Sequence, residues 1–198
     1  MMRKRALLVA FIAWAGLQVA FVAAPAPTSH VLRDIDGKVH GSLENPSGWK
    51  WTLLFFMIHD CPIANQYAPE IQRICASYGP KGARCFLVYA DPSTKPAEIR
   101  AHMKDYKFTG IPAILDSSHE LVEKAEATIS SEVAVFAANA DLKYRGRIDN
   151  LYAALGKPRR VVTEHDLRVT LDALIAGRAV PNPRTQAFGC FIPPKQEK

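Results

Sequence analysis

The sequence lacks several patterns that identify common classes of binding protein. Neither a GxGxxG fingerprint nor a phosphate-binding P-loop occurs in the 198 residues, so nothing supports a nucleotide site. No basic stripe alternates with aromatic residues. The formal net charge is +6, and residues 3–5 carry half of it. The remaining charge is too small to indicate a nucleic-acid partner, and we expect none. No internal repeat is present.

Cysteine is also scarce, and no two cysteines form a Cys-x-x-Cys pair. The four are Cys61, Cys75, Cys85 and Cys190, which allow three full pairings. Cys75 lies late in a predicted helix, and Cys85 lies near the start of the next predicted strand. A short loop with glycine and proline joins them, so this spacing permits a structural disulfide. Two separate core thiols are the alternative.

The first 26 residues have the pattern of a secretory signal peptide. A basic start (residues 3–5) precedes an apolar run (residues 6–24), and residues 24–26 offer the small side chains of a cleavage site. The sequence therefore predicts export to a periplasmic or extracellular compartment, where disulfides persist. An uncleaved anchor in the inner membrane is the alternative, since the apolar run is close to the length that spans a bilayer. That anchor would be the chain's one membrane contact.

The exported part has the length of one domain with a proper core. We predict that this domain occupies residues 30–178. A proline-rich C-terminal arm follows at residues 179–198 and bears Cys190. Its composition indicates an extended arm rather than packed structure.

Hydrophobic periodicity predicts an alternation of strands and helices. Residues 51–58 (WTLLFFMI) are nearly all apolar, which is typical of a central strand buried on both faces. From Cys61 onward, apolar residues recur every three or four positions, and Pro62 suits the first turn of a helix. The predicted order is ββαβα(βα)ββα. This order indicates an α/β fold with a mixed central sheet and helices on both faces.

The segment DCPIANQYAPEIQRI resembles the active-site segment of the thioredoxin-like superfamily, with Cys61 at the position of the attacking cysteine. The opening hairpin, the LLFF strand and VFAANADLKYRGRIDN are similar to its redoxin branch, the alkyl hydroperoxide reductase/thiol-specific antioxidant-like proteins. The resemblance covers residues 32–177. Together with YRGRIDN and GCFI, CPIANQYAPEI resembles an exported bacterial group with one active-site cysteine. The resemblance implies a three-layer α/β/α fold with an N-terminal hairpin and an inserted βα element.

Three departures from the family pattern bear on the chemistry. Ala64 stands where the second cysteine of the motif is usual, so the neighbouring resolving thiol is missing. Ser131 occupies the slot of the family's cis-proline, and a non-proline cis bond would cost about 3 kcal/mol. We therefore expect a trans bond at Ser131 or a rearranged loop. Ile58 stands where peroxidases of the family carry Thr or Ser, which counts against efficient peroxide reduction.

Cys61 is the predicted nucleophile. A thiolate is the reactive form of cysteine, and a helix N-terminus stabilises it. His59 could add positive charge, whereas Asp60 would oppose it, and together we expect a lowered pKa. We predict that Cys190 is the resolving thiol, within one chain or across a dimer. A partner contact or an unpaired thiol at Cys190 is the alternative.

The resemblance implies that the backbone around Ser131 lines the substrate groove, and we predict that Pro62 and His59 also contact substrate. Three functions remain open from the sequence. The first is an exported thiol–disulfide oxidoreductase, with a disulfide-bearing protein or a small thiol or peroxide as substrate and an upstream thiol reductant as partner. The second is a one-cysteine peroxidase, in which Cys61 becomes a sulfenic acid. The third is a non-enzymatic module with a thioredoxin-like fold that serves in binding or in copper handling, the latter through His59, Cys61 and Cys190. We expect no cofactor in the first two functions.

Overall fold

The computed structural model describes residues 30–44 and 48–195. The predicted signal peptide, residues 1–26, lies outside the described residues. Within the part that is described, no helix is long and apolar enough to cross a membrane.

Five strands form one central sheet, in the order β5-β4-β3-β6-β7. Strands β3, β4 and β5 are parallel to one another. Strand β6 pairs antiparallel with β3, and β7 pairs antiparallel with β6. Small two-stranded sheets are formed by β1–β2 and by β8–β9. The strands are β1 Val31–Arg33, β2 Val39–Ser42, β3 Trp51–Met57, β4 Ala83–Tyr89, β5 Ala113–Leu115, β6 Val133–Ala137, β7 Leu142–Gly146, β8 Tyr152–Ala154 and β9 Lys157–Pro158. The helices are α1 Pro62–Gln66, α2 Ala68–Tyr78, α3 Pro96–Asp105, α4 Glu120–Ala125 and α5 Asp166–Ile175.

The sheet separates two hydrophobic cores because successive side chains of a strand point to opposite faces. Phe55 packs with Leu171 of α5 in the larger core, which also contains the apolar faces of α1 and α2. Phe56 packs on the other face with Leu32 of β1 and Leu121 of α4. The predicted α/β/α arrangement, with its mixed sheet, opening hairpin and inserted β5–α4 element, is confirmed.

The helix that follows Cys61 is divided at Tyr67. Pro69 has no N–H to donate to residue 65, and its ring crowds that carbonyl group, so the helix bends there. Helix α1 therefore ends at Gln66, and α2 restarts at Ala68. The bend leaves α1 as a short turn that presents Cys61 at its N-cap.

The C-terminal arm is packed against the domain, and the expectation of an unpacked arm is wrong for residues 183–192. Arg145 of β7 donates its N–H to the Pro183 carbonyl (3.0 Å), and the Thr185 N–H donates to the Arg145 carbonyl (3.2 Å). The arm thus covers the outer edge of β7, which would otherwise expose unpaired backbone groups. The proline-rich composition did not predict this docking, because the contacts are made by backbone groups.

Candidate functional site

Cys61 lies where the central strand gives way to a helix. Strand β3 ends at Met57, and a tight turn follows in which the Cys61 N–H donates to the Ile58 carbonyl (3.0 Å). The Cys61 carbonyl then accepts the Asn65 N–H and starts α1. Cys61 has no solvent-exposed surface, since its relative exposure is 0%. The residue is therefore ordered on both sides by backbone hydrogen bonds and is covered by protein.

The C-terminal arm supplies part of that cover. We call residues 187–192 the tail segment and residues 128–131, which precede β6, the docking loop. The Ser130 N–H donates to the Cys190 carbonyl (2.8 Å), and the Ile192 N–H donates to the Thr128 carbonyl (3.0 Å). Ile129 and Phe191 form an antiparallel bridge between them. The tail segment thus pairs with the docking loop as a short added strand.

This pairing brings Cys190 to Cys61, although 129 positions separate them in the sequence. Neither cysteine is in a disulfide bond, and the two side chains are close enough that each shifts the pKa of the other. Ala64, the position of the missing motif cysteine, is fully buried nearby in α1. The second thiol that the local sequence lacks is therefore supplied in space by the arm.

The two thiols have opposite pKa shifts. Burial, the largest single influence, raises the pKa of Cys61, but the neighbouring Cys190 thiol, the nearby Ser130 hydroxyl and backbone N–H groups outweigh it and lower the pKa. Burial raises the pKa of Cys190 to about 11, and the neighbouring Cys61 contributes through its hydrogen bond and its charge. Of the two thiols, Cys61 is therefore the one that loses its proton more readily. Because the thiolate is the reactive form of cysteine, Cys61 is the better nucleophile of the pair.

Two serines of the docking loop differ in what they contact. Ser131 donates its N–H to the Phe56 carbonyl (2.8 Å) and its hydroxyl to the Phe188 carbonyl (2.9 Å), so it joins β3 to the tail segment. Its φ of 82° lies in the left-handed region, and among the described residues no peptide bond is cis. The Ser130 hydroxyl is buried without a regular hydrogen-bond partner in this part of the chain, and it lowers the pKa of both thiols.

The buried carboxylate of Glu132 holds the docking loop in place. Glu132 is 3% exposed, and one of its oxygens accepts the N–H groups of Thr128 (2.7 Å) and Ile129 (3.0 Å). Its other oxygen accepts a hydrogen bond from the Arg145 guanidinium (2.7 Å). Glu132 therefore joins the docking loop, through two of its backbone N–H groups, to Arg145 of β7.

The predicted substrate-binding residues differ in their surroundings. The ring Nδ1 of His59 lies 3.5 Å from the Thr94 hydroxyl, and His59 is not among the groups with the largest effects on the pKa of Cys61. Pro62 is exposed at the start of α1 and borders a cleft of about 420 Å³ together with Tyr106. Ser131 is buried beneath the tail segment. The contact of these residues with substrate stays a prediction.

A buried hydrogen-bond chain supports the turn that carries Cys61. The Tyr89 hydroxyl contacts His102 Nδ1 (2.8 Å), and His102 Nε2 contacts the Asn65 side-chain oxygen (2.8 Å). Asn65 then donates its amide N–H to the His59 carbonyl (2.9 Å). Burial lowers the pKa of His102 to about 4, with the charge of His59 as a smaller cause. A neutral imidazole with its proton on Nε2 satisfies every contact of this chain.

We predict that acid weakens the fold through His102. The folded-state pKa lies below the unfolded value of about 6.5, so the unfolded chain binds more protons between these pH values. This part of the stability is complete above pH 6.5 and is lost as the pH falls toward 4. A change of that size corresponds to roughly 3 kcal/mol at most. Urea denaturation at pH 7, 5.5 and 4 should show the loss in the wild type and not in His102→Gln, which stays neutral. Equal pH dependence in both proteins would contradict the prediction.

Tyr152 of β8 is a neighbour of Cys61 that the sequence patterns did not indicate. Its hydroxyl donates to the Gln66 side-chain oxygen (2.6 Å), which ties the β8–β9 hairpin to α1. Burial raises the pKa of Tyr152, and the charge of Cys61 raises it further. Ser130 was missed as well. No periodic pattern marks either residue, but the glycine between Phe188 and Cys190 was a readable signal of close backbone packing.

Cys75 and Cys85 form a disulfide bond, with their Cα atoms 6.0 Å apart. The bond links the last turn of α2 to the start of β4. Leu53 pairs with Cys85 in the parallel β3–β4 ladder, whereas Cys61 follows the opposite end of β3. This disulfide therefore lies away from the reactive pair and has a structural position.

Copper handling, one of the two forms of the third function, would require His59, Cys61 and Cys190 to converge. Across residues 30–44 and 48–195, no group of three or more His, Cys, Asp or Glu side chains is placed to hold a metal ion. The side chain of His59 instead faces Thr94. The predicted three-ligand arrangement is therefore wrong.

Comparisons with known proteins bear on the fold and on the family of this chain. Two solved structures cover most of the chain. An uncharacterized conserved protein from Geobacillus kaustophilus is 24% identical over 86% of this chain and 90% of its own, with a TM-score of 0.72. A hypothetical protein from Sinorhizobium meliloti 1021 is 22% identical over 83% of this chain and 90% of its own, with a TM-score of 0.70.

A thioredoxin-like protein from Aeropyrum pernix is 20% identical over 60% of this chain and 81% of its own, with a TM-score of 0.51. At these identities the likenesses show the fold, which is thioredoxin-like. No curated protein matches the sequence significantly. The AhpC/TSA family model matches residues 22–147, which is more than half of the chain. The chain belongs to the AhpC/TSA family.

Proposed function

We propose that the protein is an exported thiol–disulfide oxidoreductase in which Cys61 is the nucleophile and Cys190 the resolving thiol. One observation carries the proposal: backbone pairing of the tail segment with the docking loop places a second free thiol, Cys190, beside the buried thiol of Cys61. The lowered pKa of Cys61 and the raised pKa of Cys190 agree with it. Membership of the AhpC/TSA family supports thiol redox chemistry. The proposed substrate is a disulfide-bearing protein, and an upstream dithiol returns the electrons. The protein would represent an exported group with one active-site cysteine, as the N-terminal pattern predicts.

The reaction has two exchange steps. The Cys61 thiolate attacks one sulphur of the partner disulfide, the partner's S–S bond breaks, and the leaving thiolate takes up a proton. Cys190 then loses its proton and attacks the Cys61 sulphur. The mixed disulfide breaks, the second partner thiolate is released and protonated, and a Cys61–Cys190 disulfide remains. Two electrons and two protons have passed to the partner.

The pKa shifts suit this order of steps. After burial, the hydrogen bond to Cys61 and its negative charge are the next causes that raise the pKa of Cys190. Both causes vanish when Cys61 enters the mixed disulfide, because its sulphur then carries no charge. Cys190 therefore becomes easier to deprotonate at the step where it must attack. The first thiol has the lower pKa before the reaction, and the pKa of the second falls once the first has reacted.

Peroxide reduction is the less favoured alternative. Ile58, three residues before Cys61, is apolar and buried, so it offers no hydroxyl to orient a peroxide. The tail segment fills the space beside the sulphur with a second thiol. These features favour exchange between sulphurs over oxidation of Cys61 alone.

Two measurements on the reduced protein test the proposal. Stopped-flow mixing with glutathione disulfide and, separately, with hydrogen peroxide should show faster oxidation by the disulfide. Non-reducing peptide mapping of the product should then identify an intrachain Cys61–Cys190 bond, with Cys75–Cys85 linked before and after. An unlinked Cys61 and Cys190 after oxidation would refute the resolving role. A faster reaction with peroxide that yields sulfenic acid on Cys61 would favour the peroxidase.

A further inference from the structure

The tail segment occupies the docking loop as a bound peptide would. Two backbone hydrogen bonds and the Ile129–Phe191 bridge fix its register. Phe188 and Cys190 pack against the larger core, and Ile192 packs against the smaller one, whereas Phe191 is 79% exposed. Backbone pairing supplies attachment, and alternate side chains supply selectivity, as in peptides that bind by adding a strand.

The residue before Cys190 has room for no side chain. A Cβ atom on Gly189 would lie 2.0 Å from the Ser130 carbonyl oxygen and 2.9 Å from both Ile129 Cγ2 and Ser131 Oγ. The first of these neighbours is backbone, which cannot move aside as a flexible side chain would. Any segment that binds in this register therefore needs glycine immediately before its cysteine.

Access to Cys61 requires that the tail segment leave. Cys61 is 0% exposed, and the sulphur of Cys190 is its immediate neighbour. A partner sulphur that reacts with Cys61 must take the place that the Cys190 sulphur holds. The chain around that partner sulphur then meets the same docking loop, with its free N–H of Ser130 and carbonyl of Thr128.

We propose that the docking loop is a binding site for extended protein segments with a glycine directly before the reacting cysteine, and that the tail segment is its resident competitor. The proposal rests on the proposed function only in taking a cysteine of the partner as the reacting residue. It names the substrate class as a protein segment that contains Gly-Cys, with apolar residues at the packed positions of Phe188 and Ile192. The residue directly after the cysteine is free to vary, since Phe191 is exposed. When the tail segment rebinds, it displaces the partner segment and delivers Cys190 to the mixed disulfide.

Gly189→Ala in the full-length chain tests the resident role. The added methyl group should displace the tail segment and raise the rate of Cys61 alkylation by iodoacetamide about tenfold or more, since overlap with backbone shifts the docking equilibrium by at least that factor. Gly79→Ala is the matched control. Gly79 has a helical backbone and open space around its Cβ position, so its alkylation rate should equal that of the wild type.

Ile192→Pro is a second variant for the same measurement, because it removes the N–H that donates to Thr128 and leaves Gly189 and Cys190 unchanged. It should also expose Cys61. Wild-type alkylation rates in both Gly189→Ala and Ile192→Pro would overturn the resident role of the tail segment.

Synthetic peptides test the specificity. A fluorescent Ala-Phe-Gly-Ser-Phe-Ile peptide should bind the Gly189→Ala chain in an anisotropy titration and slow its Cys61 alkylation. The matching Ala-Phe-Ala-Ser-Phe-Ile peptide should do neither. Equal binding of both peptides would overturn the glycine requirement. Covalent dimers linked through Cys61 and Cys190 after oxidation would assign the docking loop to a second copy and overturn the proposal. None of the binding measurements needs electron transfer, so they can fail while the redox function holds.

Discussion

Cys61→Ser should reduce turnover with a protein disulfide substrate to background, a loss of roughly a thousandfold or more. Serine has nearly the same shape, so the fold and the contact with the tail segment should persist. Its hydroxyl is not ionised near neutral pH, however, and it forms no disulfide. The rate of insulin disulfide reduction, with dithiothreitol as electron donor, is the measurement. Turnover that survives in Cys61→Ser would mean that another thiol reacts with the substrate.

Cys190→Ser should stop the reaction at the second exchange step. The first exchange still occurs because Cys61 is intact, but no internal thiol attacks the mixed disulfide. The variant should therefore accumulate a covalent adduct with the substrate on Cys61, which intact-mass spectrometry detects. Cys75→Ser/Cys85→Ser is the control, since that disulfide lies at the other end of β3 and β4. It should lower stability and leave turnover of the folded protein intact. A Cys190→Ser protein with wild-type turnover would show that the resolving thiol comes from the reductant.

The sequence was sufficient for the fold because its signals are local and agree with one another. The continuous apolar run of residues 51–58 predicts β3, and the change of period after Cys61 predicts the helical segment that follows. Strand–helix–strand connectivity then determines parallel pairing between β3 and β4. Ser131 could also be placed by chain order, ahead of β6. Pro112, a proline that comes earlier in the chain, is not at that place: it precedes β5, and its carbonyl accepts the Leu87 N–H.

The site was harder to predict from the sequence than the fold, because its second thiol lies on an irregular segment. The tail segment is neither helix nor strand by pattern, and its docking is mediated by the N–H of Ser130 and the carbonyl of Thr128. The periodicity of apolar side chains cannot predict hydrogen bonds between backbone groups. The prediction that Cys190 works with Cys61 came from counting thiols, and the spatial contact needed the structure. The opposite pKa shifts of the two thiols also needed the structure, since they depend on burial and on the position of Ser130.

Glu132→Ala should cause the largest loss of stability among single substitutions near the site, about 3 kcal/mol or more in the free energy of unfolding. The side chain is 3% exposed, so its charge interacts strongly with the Arg145 guanidinium. Removal leaves the arginine, which is 23% exposed, without its partner. It also leaves the N–H groups of Thr128 and Ile129 without their acceptor, and each unsatisfied donor adds to the loss. Urea denaturation at pH 7 under non-reducing conditions measures the change.

The same substitution should also uncover Cys61, which separates a role in the docking loop from a general loss of stability. Glu132 holds the two N–H groups that shape the loop, and that loop in turn holds the tail segment. Alkylation of Cys61 in the folded Glu132→Ala protein should therefore be faster than in the wild type at urea concentrations well below its transition. Glu123→Ala is the control: this glutamate pairs with Lys195 at the surface, where both side chains are more than half exposed. Its denaturation midpoint and its alkylation rate should match the wild type, because exposed ion pairs contribute little. A Glu132→Ala protein that loses stability while Cys61 stays protected would show that the tail segment docks without the ion pair, and that the loop keeps its shape through Ser131 and Phe56 alone.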